Sequence, residues 1–451
     1  MQADHFRFNG GNTILDWNTI GQEAVQLLSE YVQIDTTNPP GNEHRATTFL
    51  GGILDKEGIP YQVFESAPGR STLYARIKGD GSKRPVILYS HSDVVPVDRA
   101  HWRVDPFGGA VKDGYIWGRG TLDMKNLGIA ELIVFLTLHR SKFPLKRDII
   151  LLNAADEEAG GMMGAGWFAE NKADLIRDTE FLLNESGKGR VENGKVIYSL
   201  DITEKTPCWL RLISRGEPGH GARPKPHSSV NRLLRALHTI LDYRPPIKVT
   251  EPVDTYFKGI SHLQKGSRRQ QFANIRDAVN DPKFLTELHH SSQYAAILRN
   301  TISITMLQGS PKINIIPQTA TAELDCRLLP EESPEAFIQE LRKVIGDDGI
   351  EIETILSFKN SASPFASPFV DAVRDVVSTY HPSVEIIPNI LSGFTDSHFF
   401  RELGIHCYGF MPFLLPDDDL RGIHGNDERI SVENMTRGPK MLYEIIEKLC
   451  G

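Results

Sequence analysis

Seven side chains form the set that could bind a cation or move a proton: His91, Asp93, Asp123, Glu157, Glu158, Glu185 and His424. They offer imidazole nitrogen and carboxylate oxygen without thiolate, which suits Zn²⁺, Mn²⁺ or Co²⁺ and argues against iron–sulfur or copper(I) chemistry. Taken singly, none is telling, because most of the 15 histidines in such a chain serve the surface or structural hydrogen bonds. The signal lies in placement. HSD at 91–93, DEE at 156–158 and Glu185 each follow directly on a short apolar run, where unpaired charge is costly unless a cation or partner neutralises it. Nucleophilic catalysis finds no support, since the chain has no GxSxG elbow and no Cys beside a plausible His partner.

The apolar runs at 85–89, 148–155, 180–184 and 405–410 are too short for helices and too uniformly apolar for half-exposed strands. They predict a buried, largely parallel sheet. Ligand sites in open α/β sheets lie beyond the carboxyl ends of the strands, so the polar groups that follow the runs are expected to converge on one crevice. An amphipathic helix is expected at 21–34 and a last one at 432–449.

Between about 205 and 358 the period changes. A strand at 208–215 is followed by a helical stripe of Val230, Leu233, Leu234, Leu237, Ile240 and Leu241. Strict alternation at 301–308 and 319–328 places Ile302, Ile304, Met306, Ala320, Ala322, Leu324 and Cys326 on buried faces. Ser333 as N-cap, Pro334 at the first helical position and Gly346 as a stop mark a second helix before a strand at 350–356. The order β-α-β-β-α-β is that of a ferredoxin-like unit. The expected fold is therefore α/β: a mostly parallel-sheet catalytic domain over 1–204 and 359–451, with an inserted α+β domain at 205–358. Residues 251–299 elaborate the insert, and Tyr256, Phe257, Phe272 and Phe284 are expected to cover its own core.

A length of 451 residues is consistent with this division, at about 150 residues per domain. Fifty basic against 58 acidic residues leave −8, which opposes any general attraction to nucleic acid or anionic membrane. Cys208, Cys326, Cys407 and Cys450 are too scattered for a disulfide framework, so a reducing compartment is expected. The opening MQADHFRFNGGN has no apolar signal core, and the strongest apolar stretch, at 132–138, falls far short of a bilayer span. These features predict a soluble, cytoplasmic protein.

The segments HSDVVPVDRAHWRVDPFGG, DGYIWGRGTLDMKN and AADEEAGG, in that order, resemble the motifs of the di-zinc amidohydrolase and exopeptidase superfamily. That group contains aminoacylase-1, carboxypeptidase S, glutamate carboxypeptidase and succinyl-diaminopimelate desuccinylase. The likeness continues through GEPGHGARP, NIIPQTATAELDCR, SGFTDSHFF and IHGNDERI, so it covers nearly the whole chain. GRGTLDMKN and the long insert before LRNTISITMLQG are most similar to the carboxypeptidase S branch, which includes N-acyl amino acid hydrolases.

The resemblance implies that Asp123 bridges two metals, with His91 and Glu185 completing one site and Glu158 and His424 the other. Two such ions, about 3.5–4 Å apart, polarise a carbonyl and acidify a shared water. Glu157 would be the general base and Asp93 the group that orients the His91 imidazole. His220 would stabilise the oxyanion, in relatives often from across a dimer interface. Asn314 and Arg327 match positions that hold the substrate carbonyl or carboxylate; for Arg327, which shares the polar face of its strand with Glu323 and Asp325, a cross-strand salt bridge is the alternative. Gly393, Thr395 and Asp396 match a loop beside the carboxylate pocket, where Gly permits close backbone approach, or form an ordinary turn. Many relatives carry Gly directly after the third carboxylate ligand, where this chain has Ser186. His398 is set aside as a ligand in favour of His424, and His101 and Trp102 are expected to shape their loop.

The activity these residues imply is hydrolysis of an amide beside a free carboxylate, in an N-acyl amino acid or a short peptide. The implied cofactors are two divalent ions, foremost Zn²⁺, and the implied assembly is a homodimer through the inserted domain. One rival is a binding protein that kept the fold and lost turnover. Another is an amidohydrolase for a different small carboxylate amide; carbamoyl and amidine hydrolases on this scaffold replace the Glu185 position by His.

Overall fold

The runs that precede HSD, DEE and Glu185 are strands buried at every position: Val86–His91, Ile149–Ala154 and Phe181–Asn184. They belong to a computed structural model that describes residues 15–192, 194–330, 332–359 and 361–451. The N-terminal stretch read for a targeting signal lies outside the described residues. With His406–Gly409 these strands form the parallel centre of a nine-stranded sheet, in the order Ile149–Ala154, Val86–His91, Phe181–Asn184, His406–Gly409. Tyr61–Ala67 and Arg70–Ile77 flank one side antiparallel, and Lys195–Glu204 pairs antiparallel on the other. Register sets the site: His91 lies opposite Ala154, and Leu88 opposite both Leu151 and Leu183, so the three strands end at one edge. Continuous burial on both faces is what a strand covered by helices requires.

The covering helix Lys125–Ser141 is buried at every residue from Lys125 to Leu138, the polar Lys125, Asn126, Glu131 and Thr137 included. It shares one core with Trp17–Val32 and the terminal helix Val432–Cys450. Each fully buried Leu, Ile or Phe there contributes about 1.5–3 kcal/mol. These elements form one compact unit, made of the chain up to Ile202, Ser363–Asn389 and Thr395–Gly451; the other is Thr203–Ala362 with Ile390–Phe394.

The second unit carries a four-stranded antiparallel sheet in the order Thr301–Gln308, Thr319–Leu328, Thr206–Arg215, Ile350–Ser357. Helices Ser229–Asp242 and Pro334–Ile345 share its core. Ser333 caps the latter by accepting the Ala336 N–H, and Gly346 ends it in the left-handed region at φ 62°. Two readings of burial are corrected. Met306 is 48% exposed: the pairing register shifts between Ile304 and Met306, and every residue of this edge strand from Thr305 to Gln308 is exposed. Leu234 and Leu241 are 55% and 59% exposed, since the buried stripe runs through Leu233, Ala236, Leu237 and Ile240. The stretch at 251–299 is a set of short helices, among them Glu251–Ile260, Ser267–Ala273 and Pro282–His289. They close over Phe257, Phe272 and Phe284, whose rings meet edge to face at 5.1 and 6.1 Å. Among the described residues no helix is long and apolar enough to cross a membrane.

Candidate metal centre

His91 closes its strand with a side chain wholly shielded from solvent. Its Nδ1 faces the Asp93 carbonyl oxygen at 3.0 Å, an acceptor only, so Nδ1 carries a proton and Nε2 is the nitrogen turned to the acidic centre. That Nε2 lies 3.2 Å from Asp123 Oδ1 and 3.7 Å from Glu185 Oε1. Asp123 Oδ2 faces the other way, 3.1 Å from His424 Nε2, which is also 3.2 Å from Glu158 Oε2. One carboxylate thus presents its two oxygens to two imidazoles brought from opposite ends of the unit. Donor atoms within 4.8 Å of one another fall into two groups, His91–Glu157–Glu185 and Asp123–Glu158–His424.

Glu157 and Glu158 fall in different donor groups and are carried by a turn, not by the pleat of a strand. The strand ends at Ala154, Asp156 takes a left-handed backbone at φ 72°, and Glu157–Ala159 makes one 3₁₀ turn. Asp93 does more than face His91, whose Nδ1 is 3.5 Å from its Oδ1. Its carboxylate accepts the main-chain N–H of Glu157 and of Glu158, each at 3.1 Å, and the Asn38 amide at 2.8 Å. Asp93 therefore anchors the turn that carries both glutamates. Ser186 sits at φ 100°, the backbone region where relatives' Gly would be at ease, and its hydroxyl bonds Asp201. With His424 at φ 55°, three non-glycine residues around the centre hold left-handed conformations, which persist only where the surroundings enforce them.

Electrostatics point to a cation. Burial pushes the Glu157 and Glu185 carboxyls well above their ordinary range, and neighbouring carboxylates add to it. Asp123 is equally buried, yet His424 and His91 hold it far below the usual carboxylate value. Asp123 and Glu158 raise His424 to about 10. Glu158 Oε1 is buried with no hydrogen-bond partner among the described residues. Four carboxylates against two imidazoles, with one oxygen orphaned, fit divalent ions bound by hard oxygen and imidazole donors.

The supporting side chains were not singled out in the sequence. Glu428 accepts from Arg119 at 2.6 Å and from the Leu122 N–H at 2.6 Å. Arg70 bonds Glu43 at 2.5 Å and Asn38 at 2.8 Å, and Asn38 in turn bonds Asp93. The only cue was proximity to a motif: Glu428 in HGNDE, Arg119 in GRG. Thr395 and Asp396 belong to the same unit and are buried; the Thr395 hydroxyl accepts the Ser397 N–H at 3.2 Å, and Tyr89 donates its hydroxyl to Asp396. His398 is buried, with its pKa lowered to about 3 by burial and by Arg401. His101 bonds Asp98 at 2.9 Å, and Trp102 lies beneath the Arg119 guanidinium.

His220, Asn314, Arg327 and Gly393 belong to the second unit. His220 is exposed in a two-residue strand paired with Ile315–Ile316, and its Nδ1 accepts the Ala222 N–H at 3.1 Å. The Asn314 carbonyl accepts the Gly221 N–H at 2.8 Å, which ties these two motifs together. Arg327 pairs with Asp325 at 2.7 Å, a neighbour on its own strand and not a cross-strand partner, and lies over the Phe394 and Trp209 rings. Its Nη1 is buried without a hydrogen-bond partner among the described residues. A Cβ at Gly393 would meet only Leu391, at 3.9 Å, so no close approach by the protein itself requires glycine there.

The chain is 29% identical over 381 residues to the probable carboxypeptidase S-like 2 of Dictyostelium discoideum, spanning 82% of this chain and 72% of that one. It is 26% identical to aminoacylase-1 of Sus scrofa, covering 95% of both. Among solved structures, the M20 family metallo-carboxypeptidase Sso-CP2 of Sulfolobus solfataricus shares the fold at a TM-score of 0.72 and 19% identity, over 95% of this chain and 99% of that one. The sequence profile of peptidase family M20/M25/M40 matches residues 87–448, which include every residue of the paired donor groups. The match along four-fifths of the chain, over the strand ends and loops that carry the paired donor groups, places the chain in peptidase family M20/M25/M40.

Proposed function

We propose that the protein hydrolyses an amide bond next to a free carboxylate, in an N-acyl amino acid or a short peptide, using two divalent ions, foremost Zn²⁺. The observation that carries this is the Asp123 carboxylate, with one oxygen 3.2 Å from His91 and the other 3.1 Å from His424. His91 and Glu185 would hold one ion, Glu158 and His424 the other, and Asp123 both. Such ions supply Lewis acidity, polarising the scissile carbonyl and making water a nucleophile at neutral pH.

Glu157 ligates neither ion in this reading. Its carboxyl, raised by burial, accepts the proton of the attacking water and passes it to the departing amine. Asp93 fixes the turn so that Glu157 and Glu158 keep separate roles. His220 donates to the developing oxyanion, supplied by the second subunit of a homodimer formed through the inserted domain. Met306 and Leu307 on an edge strand of that domain, with Leu234 and Leu241 on its helix, present the apolar surface such a dimer would bury. Arg327, stacked on two rings with one nitrogen unbonded, would receive the substrate carboxylate with Asn314, beside the Gly393–Thr395 loop. The relatives named carboxypeptidase and aminoacylase support both substrate classes. The reducing-compartment composition and four buried free thiols fit a cytoplasmic enzyme.

Turnover of N-acetyl amino acids, long-chain N-acyl amino acids and dipeptides should fall about 10²–10⁴-fold or more in Glu157→Gln, with metal content unchanged. A Gln variant that keeps wild-type kcat refutes Glu157 as the base. Loss of one ion in that variant refutes its separation from the ligands.

A further inference from the structure

Arg119 and Glu428 pair at 2.6 Å with side chains 3% and 0% exposed. They join segments 309 residues apart. Glu428 is turned toward the loop that ends in Asp123, accepting N–H groups from Leu122 at 2.6 Å and from Gly120 and Asp123 at 3.2 Å each. Arg119 reaches the opposite way, donating to the carbonyl of Gly425 at 2.8 Å and, at 3.5 Å, to that of Gly422. Those two carbonyls bracket His424, whose backbone is left-handed at φ 55°. Asp427, left-handed at φ 57°, is held in the same loop by the Arg103 main chain and guanidinium, both at 2.8 Å. The Trp102 ring, 5.3 Å from the Arg119 guanidinium carbon, closes the pocket around it.

A buried ion pair is a poor source of net stability, because desolvation offsets most of the attraction; its better-attested use is to fix register. Here the register is between the main chain that presents Asp123 and the main chain that presents His424. We propose that Arg119 and Glu428 are positioning residues that clamp the Asp123 loop to the His424 loop, and so set the affinity of the Asp123–Glu158–His424 group for its divalent ion. His91 and Glu185, which with Asp123 would hold the other ion, stand at strand ends that the clamp does not touch. The inference rests on the two-ion reading above and extends it to which ion is lost first.

The test is titration of Zn²⁺ into the chelator-stripped full chain, followed by calorimetry and by thermal unfolding, for wild type, Glu428→Gln, Arg119→Met and Arg119→Met/Glu428→Met. Gln at 428 keeps an acceptor for the loop N–H groups but turns an NH₂ toward them or toward Arg119. Wild type should bind two ions, and both single variants should keep one tight ion and bind the second about 10–100-fold more weakly. The double variant leaves no buried charge unpaired but still strands the loop N–H groups, so its thermal midpoint should recover only in part while second-ion affinity stays low. Single variants that bind both ions with wild-type affinity overturn the clamp, and so does a double variant in which affinity recovers together with the midpoint. Wild-type protein that binds fewer than two ions overturns instead the two-ion reading on which the clamp rests.

Discussion

Replacing Asp93 by Asn removes one acceptor oxygen from the turn that carries Glu157 and Glu158. Asp93 Oδ2 accepts from Glu158 N and Asn38 Nδ2, and Oδ1 accepts from Glu157 N. The amide oxygen therefore keeps the first two partners, and the amide NH₂ is left facing the Glu157 N–H. A buried donor without an acceptor costs about 1–3 kcal/mol, and each surviving bond loses about 1 kcal/mol on passing from a charged to a neutral acceptor. The sum is about 3–5 kcal/mol, concentrated on the residue that moves the proton. Since every 1.4 kcal/mol of misplacement is about tenfold in rate, kcat at saturating Zn²⁺ should fall about 10–100-fold even if only part of the cost reaches Glu157. The assay is steady-state hydrolysis of an N-acetyl amino acid alongside thermal unfolding and metal analysis. Asp93→Asn with kcat within about twofold of wild type and an unshifted unfolding midpoint would refute the anchoring role derived from these hydrogen bonds.

Two further outcomes concern the scaffold. Lys205 is wholly buried, and its ammonium donates to the carbonyls of Ala296 and Arg299 and to the Thr301 hydroxyl at 2.8–3.0 Å. Lys205→Met strands those acceptors and should destabilise the second unit by about 2–4 kcal/mol in urea; an unchanged midpoint would contradict this. Burial, then Glu444, raises the Glu447 carboxyl on the terminal helix to about 7. Its folded pKa exceeds the unfolded value of about 4.3, so the folded chain binds more protons between the two, and stability falls as pH rises through that window. Glu447→Gln should flatten this part of the pH–stability curve, and an identical curve would show that Glu447 does not titrate there.

The parts legible in the sequence are those whose cause is local. Strands 86–91 and 149–154 could be read because strands buried on both faces are mainly apolar, and the polar residues gather toward the sheet edge where they end. The Pro334–Ile345 helix could be read because Ser333, Pro334 and Gly346 act within their own turns. The exposure of Met306 could not, since it goes with a register shift against a neighbouring strand. Nor could the short helices at 251–299, which are held by contacts among Phe257, Phe272 and Phe284 more than by their own periodicity. Asp123 and His424 were found through motifs, but the Arg119–Glu428 pair that joins their loops spans 309 residues, and no spacing rule reaches so far. Asn38, Arg70 and Glu43 escaped notice for the same reason: their partners Asp93 and Asp156 come from other strand ends.

The central claim is that Asp123 bridges two ions, and anomalous diffraction at the zinc edge from crystals of Zn²⁺-loaded protein tests it directly. Two peaks should appear about 3.5–4 Å apart, one beside His91 and Glu185 and the other beside Glu158 and His424, with the Asp123 carboxylate between them. A single peak, or two that do not share Asp123, would contradict it.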